Sequence, residues 1–576
     1  MKAKQYKRLP CGNADFKNMI TQNYACVDKT RYIEMLENES NKNQIFIRPR
    51  KFGKSLFFTT LMYYYDLNEA ENFEQLFGGF YIGKHPTPER NSYAILKFDF
   101  SGLDTSGEKE FKADFSSRVQ ESVRNFFRIY RHVFSEADRY VDRIDEEKPG
   151  VSSLEKIFAA AEQDKVKLFL LIDEYDHFAN DLISMGNRQE RDFYKKLTAA
   201  NGPVRDFYER IKMAAKTSLV NRTFITGTSP VMLADLTGGY NIADILTLEP
   251  RYNEMMGFTR EEVEWLMRET GVDESCINVD IETCYGGYLF HADGQHRVYN
   301  PAMITYFFEQ ILRYRKPPEK IIDLNLETNY GHLRRLVLNE GNRETLIRLL
   351  KEGEIVEEMP EKFSVDRLNG ERYFVSLLFY MGLLTVKERC LFRLKIVIPN
   401  YAVKTLFWEY IMLLVEETSP SLHIESRLLN EAIYALAMDG NPEPFIACIS
   451  KNAFSKLSDY DWRHFDEKYI QILLLSYFSR NKVYLPVNEY ETVPDCADIY
   501  LQRSPLLPQI KYEWIWALKY CQGGAGDADI AIQQKKGRAQ VEQYIASHRL
   551  GGCPDLKAAV IVFTGRSQYR ILQIEH

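Results

Sequence analysis

The sequence predicts an α/β protein built on a parallel sheet, and two stretches carry that expectation. The first is Arg48-Pro49-Arg50-Lys51-Phe52-Gly53-Lys54-Ser55, preceded by the apolar run Ile45-Phe46-Ile47 and followed by a helical run from Leu56 onward. The second is Leu168-Phe169-Leu170-Leu171-Ile172, an unbroken apolar run closed by Asp173 and Glu174. Such a run suits a strand buried on both faces of a parallel sheet. Open α/β sheets bind ligands beyond the carboxyl ends of their strands, where both the Gly-Lys-Ser and the acid pair fall.

Strand, loop ending in Gly-Lys-Ser, helix is the layout of a phosphate-binding P-loop. Backbone N–H groups at a helix start point at an anion, and the helix dipole favours it there. Arg50, Lys51, Phe52, Gly53, Lys54, Ser55 and Leu56 are therefore expected around the phosphates of ATP. Gly53 admits close approach of the backbone. Lys54 reaches the β- and γ-phosphates, and the Ser55 hydroxyl ligates Mg2+. Asp173 is expected to hold the same Mg2+ through water, and Glu174 to polarise the attacking water. One position departs from G-x-x-x-x-G-K-[ST]: Arg48 stands where the first glycine falls.

At 576 residues the chain is too long for one ordinary core, and two to four domains are expected. The net charge of −7 excludes a polycation, so any surface for DNA or RNA must be a local patch. No stretch approaches the ~20 apolar residues of a membrane span, and the basic N-terminus leads into no apolar signal core. The nine cysteines are scattered without a C-x-x-C pair, which indicates neither zinc nor a disulfide framework. Reduced thiols and a cytoplasmic location are the expectation.

The remaining elements follow in order. Asp28 and Thr30 are candidate caps for a helix over 31–38. The segment before the P-loop strand reads as a lid packed on the core, with direct nucleotide contact as the alternative. Tyr93 to Phe100 is a strand rich in β-formers. Residues 108–145 read as one long helix, and Pro149-Gly150 as a loop. Arg222 to Gly227 is a further strand, whose polar end offers Thr226 and Thr228 for contact with the γ-phosphate or the water. Residues 244–248 read as the last core strand, and Thr259-Arg260-Glu261-Glu262 as a capping box. Arg251 is one candidate for a finger reaching a neighbouring subunit of a homo-oligomer.

Taken together, Leu9-Pro10-Cys11-Gly12, Val27-Asp28-Lys29-Thr30, the stretch Arg48 to Leu56, Asp173-Glu174-Tyr175-Asp176 and Gly257-Phe258-Thr259 resemble the AAA-ATPase-like bacterial proteins that carry a C-terminal PD-(D/E)XK nuclease-like domain. Tyr299-Asn300-Pro301, Leu377 to Thr385 and Ile398-Pro399-Asn400 continue the resemblance. It implies a P-loop ATPase core with an additional strand, in which Arg commonly replaces the first loop glycine. It implies no known substrate.

Residues 266–410 read as a helical, winged-helix-like region: helices over 303–314 and 332–351, then helix, turn and hairpin between Tyr373 and Val397. A lid that only packs on the ATPase is the alternative. Residues 411–576 read as an α/β restriction-endonuclease-like domain, leaving 1–265 to the ATPase. Its plan needs carboxylates that hold Mg2+ on a scissile phosphate and a Lys that activates water. Asp498 and Lys519 match as metal ligand and catalytic base partner. The second acid is expected two residues before the Lys, where Ala517 stands. Glu513 lies four residues before Ala517, about 13 Å away at ~3.3 Å per residue. Glu467 and Gln534 match family positions at the edge of the site. Two functions are thus expected in outline: an ATPase controlling a nuclease-like domain on DNA or RNA, or a nucleotide-dependent switch whose C-terminal domain binds a partner without cutting.

Overall fold

The computed structural model describes the chain except residues 1–4, 147–149, 186–187, 236–239, 319, 323–339, 368–369, 419–423, 458–464, 480–482, 488–497, 504–506, 508, 522–525, 548–554 and 575–576. Two compact units emerge. The first comprises Met1–Arg315, Ile322–Asn342 and Ile355–Asn400; the second comprises Lys316–Ile321, Arg343–Glu354 and Tyr401–His576.

The first unit is organised by five parallel strands: β1 (Asn43–Ile47), β2 (Ala94–Asp99), β3 (Leu168–Asp173), β4 (Arg222–Gly227) and β5 (Asp244–Ile245). Their order is β2-β3-β4-β1-β5. The loop strand β1 and the acid strand β3 are therefore separated by β4, the additional strand that the resemblance implies. Every residue of β3 and β4 is buried, which explains why both read as apolar or β-branched runs. Register aligns Ile47 with Gly227 and Asp99 with Asp173, so the strand ends present their functional residues on one rim.

Two expectations on this unit need correction. The strand over 244–248 stops at Ile245. Beyond it the Thr247 hydroxyl accepts from Ile47 N at 2.9 Å, so a side chain replaces the ladder. The helix over 108–145 is two helices, Glu108–Ile129 and Ala137–Glu146. The break is at Tyr130, whose buried hydroxyl donates to Asp66 Oδ1 at 2.9 Å and accepts from Ile95 N at 3.0 Å. The second helix folds back and stacks Tyr140 on Phe127, ring centroids 5.0 Å apart.

After the sheet, helix Arg260–Thr270 opens on the expected capping box at Thr259. Helix Pro301–Tyr314 opens on Asn300, whose side chain accepts from Ala302 N and Met303 N. Helix Glu371–Tyr380 precedes a hairpin of β7 (Thr385–Cys390) and β8 (Arg393–Val397), and β6 (Glu354–Glu357) completes a sheet of order β6-β8-β7. The helix expected over 332–351 is seen as Glu340–Glu352, its first part lying outside the described residues.

The second unit holds β9 (Tyr484–Val487), β10 (Ile499–Arg503), β11 (Glu513–Tyr520), β12 (Leu556–Phe563) and β13 (Tyr569–Ile574), ordered β13-β12-β11-β10-β9. Only β11 and β12 pair in parallel. Helix Asp527–Ser547 lies between them in sequence, as a parallel pair requires. It rests close on the sheet: a Cβ at Gly537 would come within 2.4 Å of Val560 Cγ1.

Candidate nucleotide site and a second acidic cluster

The loop between β1 and helix Lys54–Tyr65 turns through two left-handed residues, Lys51 at φ 68° and Gly53 at φ 96°. Open space surrounds a Cβ built on Gly53, so its conformation, not crowding, calls for glycine there. Gly53 is also the helix N-cap, without a side chain to satisfy the first N–H groups. Those donors remain for a phosphate. Lys54 is buried, and its ammonium donates to the carbonyls of Arg48 at 3.0 Å and Pro49 at 3.1 Å and to Thr228 Oγ1 at 3.4 Å. Glu174 lies 4.0 Å from it.

Arg48 does not face this site. Its guanidinium is 1% exposed and donates to the carbonyls of Ile47, Thr247 and Tyr252. It is sandwiched between Phe46 at 4.3 Å and Phe290 at 4.0 Å. Burial lowers its pKa to about 9. The residue in the first-glycine position thus ties the loop to the segment that follows β5, the strand next to β1. Phe52 likewise turns inward, edge-on to Tyr288 and Phe290 at 5.0 and 5.5 Å, leaving only its backbone to the loop. Pro49 is pressed by Gly382, where a Cβ would approach Pro49 Cβ to 2.7 Å.

Across the rim, Asp173 ends β3 and is buried. Burial, then the neighbouring Glu174, raises its carboxyl to about 6, against the pull of Lys54 and a hydrogen bond from Ser55. Glu174 takes a left-handed conformation, φ 51°, and its N–H donates to Asp173 Oδ1 at 2.9 Å. A strained, non-glycine residue at a strand end is the kind of feature that clusters at functional sites. Ser55 and Asp173 supply hard oxygen donors, and a cation would favour the ionised form of Asp173 that burial disfavours, which fits Mg2+. Among the described residues no group of three His, Cys, Asp or Glu side chains forms a protein-only metal cage. A nucleotide-bridged ion needs none.

Three features went unread in the sequence. Asp176, fully buried, accepts from Thr228 N at 3.0 Å and from Asn180 Nδ2 at 2.7 Å, and so fixes the turn after β4. Of the two threonines, Thr228 reaches Lys54, whereas the Thr226 hydroxyl is buried in the sheet with no hydrogen-bond partner among the described residues. Asp99 stands beside Asp173 in register, and its position at the end of a predicted strand was the available signal. The third is the cavity itself, about 1120 Å3. It is lined by the loop residues Arg50 to Leu56, by Asp99, Asp173 and Glu174, and also by Pro10–Ala14, Val27, Met255–Phe258 and Tyr306. The segment before β1 thus walls the cavity rather than only capping the core.

In the second unit, Asp498 sits one residue before β10, not within it. Its Oδ2 accepts from Leu518 N at 2.6 Å and lies 3.8 Å from Lys519 Nζ. Lys519 is 3.6 Å from Glu467 Oε2, whose other oxygen accepts from Tyr520 N at 3.1 Å. Burial raises the Asp498 carboxyl, and Lys519 opposes that. The glutamine facing Asp498 is Gln540, 3.4 Å from its Oδ1, whereas no bond joins Gln534 to this cluster among the described residues. Glu513 is engaged by Tyr500 and Arg503 and is far from a ligand role. Ala517 is wholly buried in a core cluster that includes Val541, Val560 and Val562. Arg251 pairs with Glu39 at 3.0 Å on the surface.

Residues 10–237 match the family described as "Predicted AAA-ATPase". The chain is 24% identical over 309 residues to an uncharacterised protein in the vnfD 5′ region of Azotobacter chroococcum mcd 1, covering 53% of this chain and 52% of that one. The chain therefore spans about half the length of that curated relative. The Walker-type ATPase PABY2304 of Pyrococcus abyssi aligns at 13% identity and a TM-score of 0.39, over 66% of this chain and 94% of that one. No helix among the described residues is long and apolar enough to cross a membrane.

Proposed function

We propose that the first unit binds Mg-ATP and hydrolyses it. The observation that carries this reading is the meeting of Lys54, Ser55, Asp173 and Glu174 on one cavity at the carboxyl ends of β1 and β3. Lys54 rests on two loop carbonyls, and a phosphate would compete for its ammonium. Bound Mg2+ would neutralise phosphate charge, held by Ser55 and Asp173. Glu174 would hold the attacking water and accept its proton. Thr228, next to Lys54, would contact the γ-phosphate.

The second unit is read as a nuclease-fold domain that binds nucleic acid with weakened or absent cutting. Glu467, Asp498, Lys519 and Gln540 converge there, which supports the binding surface. The burial of Ala517 supports the loss of cutting and gives weight to the second reading, a nucleotide-dependent switch whose C-terminal domain binds without cleavage.

Calorimetry with ATP and Mg2+ tests the core of the proposal. Losing charge-assisted contacts costs about 1.5–3 kcal/mol, so Lys54→Ala should weaken ATP at least tenfold. An unchanged affinity would reject the assignment. ATP turnover with and without DNA, beside a metal-dependent cleavage assay, separates the enzyme from the switch.

A further inference from the structure

The most exposed apolar side chains among the described residues are Leu391 and Phe392, at 84% and 93%. They form the tip of the β7–β8 hairpin, and Leu391 is held left-handed at φ 54°. Exposing two large apolar groups side by side costs solubility, and a turn needs neither; Gly, Asn or Asp would serve it better. The hairpin is also basic. Residues 385–397 carry Lys387, Arg389, Arg393 and Lys395 against Glu388 alone, four minus one, net +3 in a chain of −7. Arg389 pairs with Asp293 at 3.1 Å in solvent, and Lys395 pairs with Glu388 at 2.9 Å with its own side chain half-buried. Arg393, beside the tip, is exposed and has no ion-pair partner among the described residues.

The root of the hairpin is fixed. Val386 N donates to Leu289 O at 3.1 Å, Leu289 N to Thr385 Oγ1 at 2.7 Å, and Arg297 to the carbonyls of Val386 and Lys387. A rigid stem thus presents a Leu-Phe tip between arginines. It follows a buried helix, Glu371–Tyr380, and shares its sheet with β6, the arrangement of a helix with a wing.

We infer that this hairpin is a binding element for duplex DNA, with Leu391 and Phe392 wedging into a base step and Arg389, Arg393 and Lys387 on the flanking phosphates. Apolar wedges of one or two side chains with arginine neighbours are how proteins enter a minor groove. A lipid surface fits less well, because membrane affinity scales with buried apolar area and here only two side chains are on offer. The inference extends the nucleic-acid reading above but places a contact in the first unit, where the ATP site lies, rather than in the Asp498 cluster.

The test uses the full chain and a fluorescent DNA duplex, read by anisotropy over a salt series. Leu391→Ala with Phe392→Ala should weaken binding about tenfold, in line with the cost of losing an intercalating contact. Arg393→Ser should weaken it and reduce the slope of log K against log salt by about one. ATP affinity should stay native in both variants, which controls for folding. Native DNA affinity in the hairpin variants, with loss in Lys519→Ala, overturns the inference and leaves the nucleic-acid reading of the second unit standing. No DNA binding by the native chain overturns both and leaves the ATPase reading intact. Binding to anionic vesicles in place of DNA, abolished by the same tip variants, overturns the choice of partner.

Discussion

Asp173 holds the clearest conflict between stability and function. Its carboxyl is pushed to about 6, mainly by burial, from an ordinary 3.8. Between those values the folded chain binds a proton that the unfolded chain has released. Stability therefore falls as pH rises from about 4 to 6, and stays lower at neutral pH, by on the order of 3 kcal/mol. Asp173→Asn should raise the thermal midpoint of the nucleotide-free protein at pH 7 and flatten its pH dependence in that window, while weakening Mg-ATP. A variant less stable than the native chain at pH 7 would mean that Asp173 is paid for by contacts the ionised form makes. Glu174 next to it has a different part. Glu174→Gln should keep nucleotide affinity and slow turnover by two orders of magnitude or so, the usual scale of a general base; turnover at the native rate would remove it from that role.

The same scale shows what sequence can and cannot reveal. Gly53, Lys54 and Ser55 are legible because their chemistry is local: a loop, a helix start and an anion. Arg48 is not. Its carbonyl partners on Thr247 and Tyr252 lie 199 and 204 positions away, and only the folded sheet brings them to it. Asp176 is hidden for the same reason, since its worth lies in donors 52 residues on.

At the scale of elements, the fully buried strands are legible in the sequence, whereas the end of β5, the start of β10 and the helix limits are not. β3 and β4 are buried on both faces and leave an unmistakable pattern, whereas the break at Tyr130 depends on Asp66 and Ile95, partners from other elements. The order of β1, β4 and β3 is likewise tertiary information; no periodicity in one strand reveals its neighbour. The helix Asp527–Ser547 shows the same limit. Gly537 sets how it lies on β12, and that rotation brings Gln540 rather than Gln534 to Asp498. Ala517 tests this packing. A glutamate there would enter the buried apolar cluster that holds Val541 and Val560. Ala517→Glu should cost about 2–4 kcal/mol, the range for burying an unpaired polar or charged group. The expected readout is a lower melting temperature without metal-dependent cleavage. Cleavage gained at native stability would show instead that the new acid reaches Asp498 and Lys519.

At the scale of the molecule, the chain divides into two units with separate sheets, and only the first carries the phosphate loop. A ligand that binds the folded form alone stabilises by RT ln(1 + [L]/Kd), about 2.7 kcal/mol at a hundredfold excess over Kd. That stabilisation acts on whatever unfolds together with the site. Two cores of this size ordinarily unfold in more than one step. Mg2+ with a non-hydrolysable ATP analogue should therefore raise one calorimetric transition and leave the other in place. Hydrogen exchange should assign the shifted transition to β1, β3 and β4, with β11 and β12 unaffected. Lys54→Ala should abolish the shift and keep both transitions, which separates loss of ligand from loss of fold. If the native chain instead shows a single transition that the nucleotide raises as a whole, the two units unfold as one cooperative body, and nucleotide binding in the first is then energetically linked to the state of the second, as a nucleotide-driven switch requires.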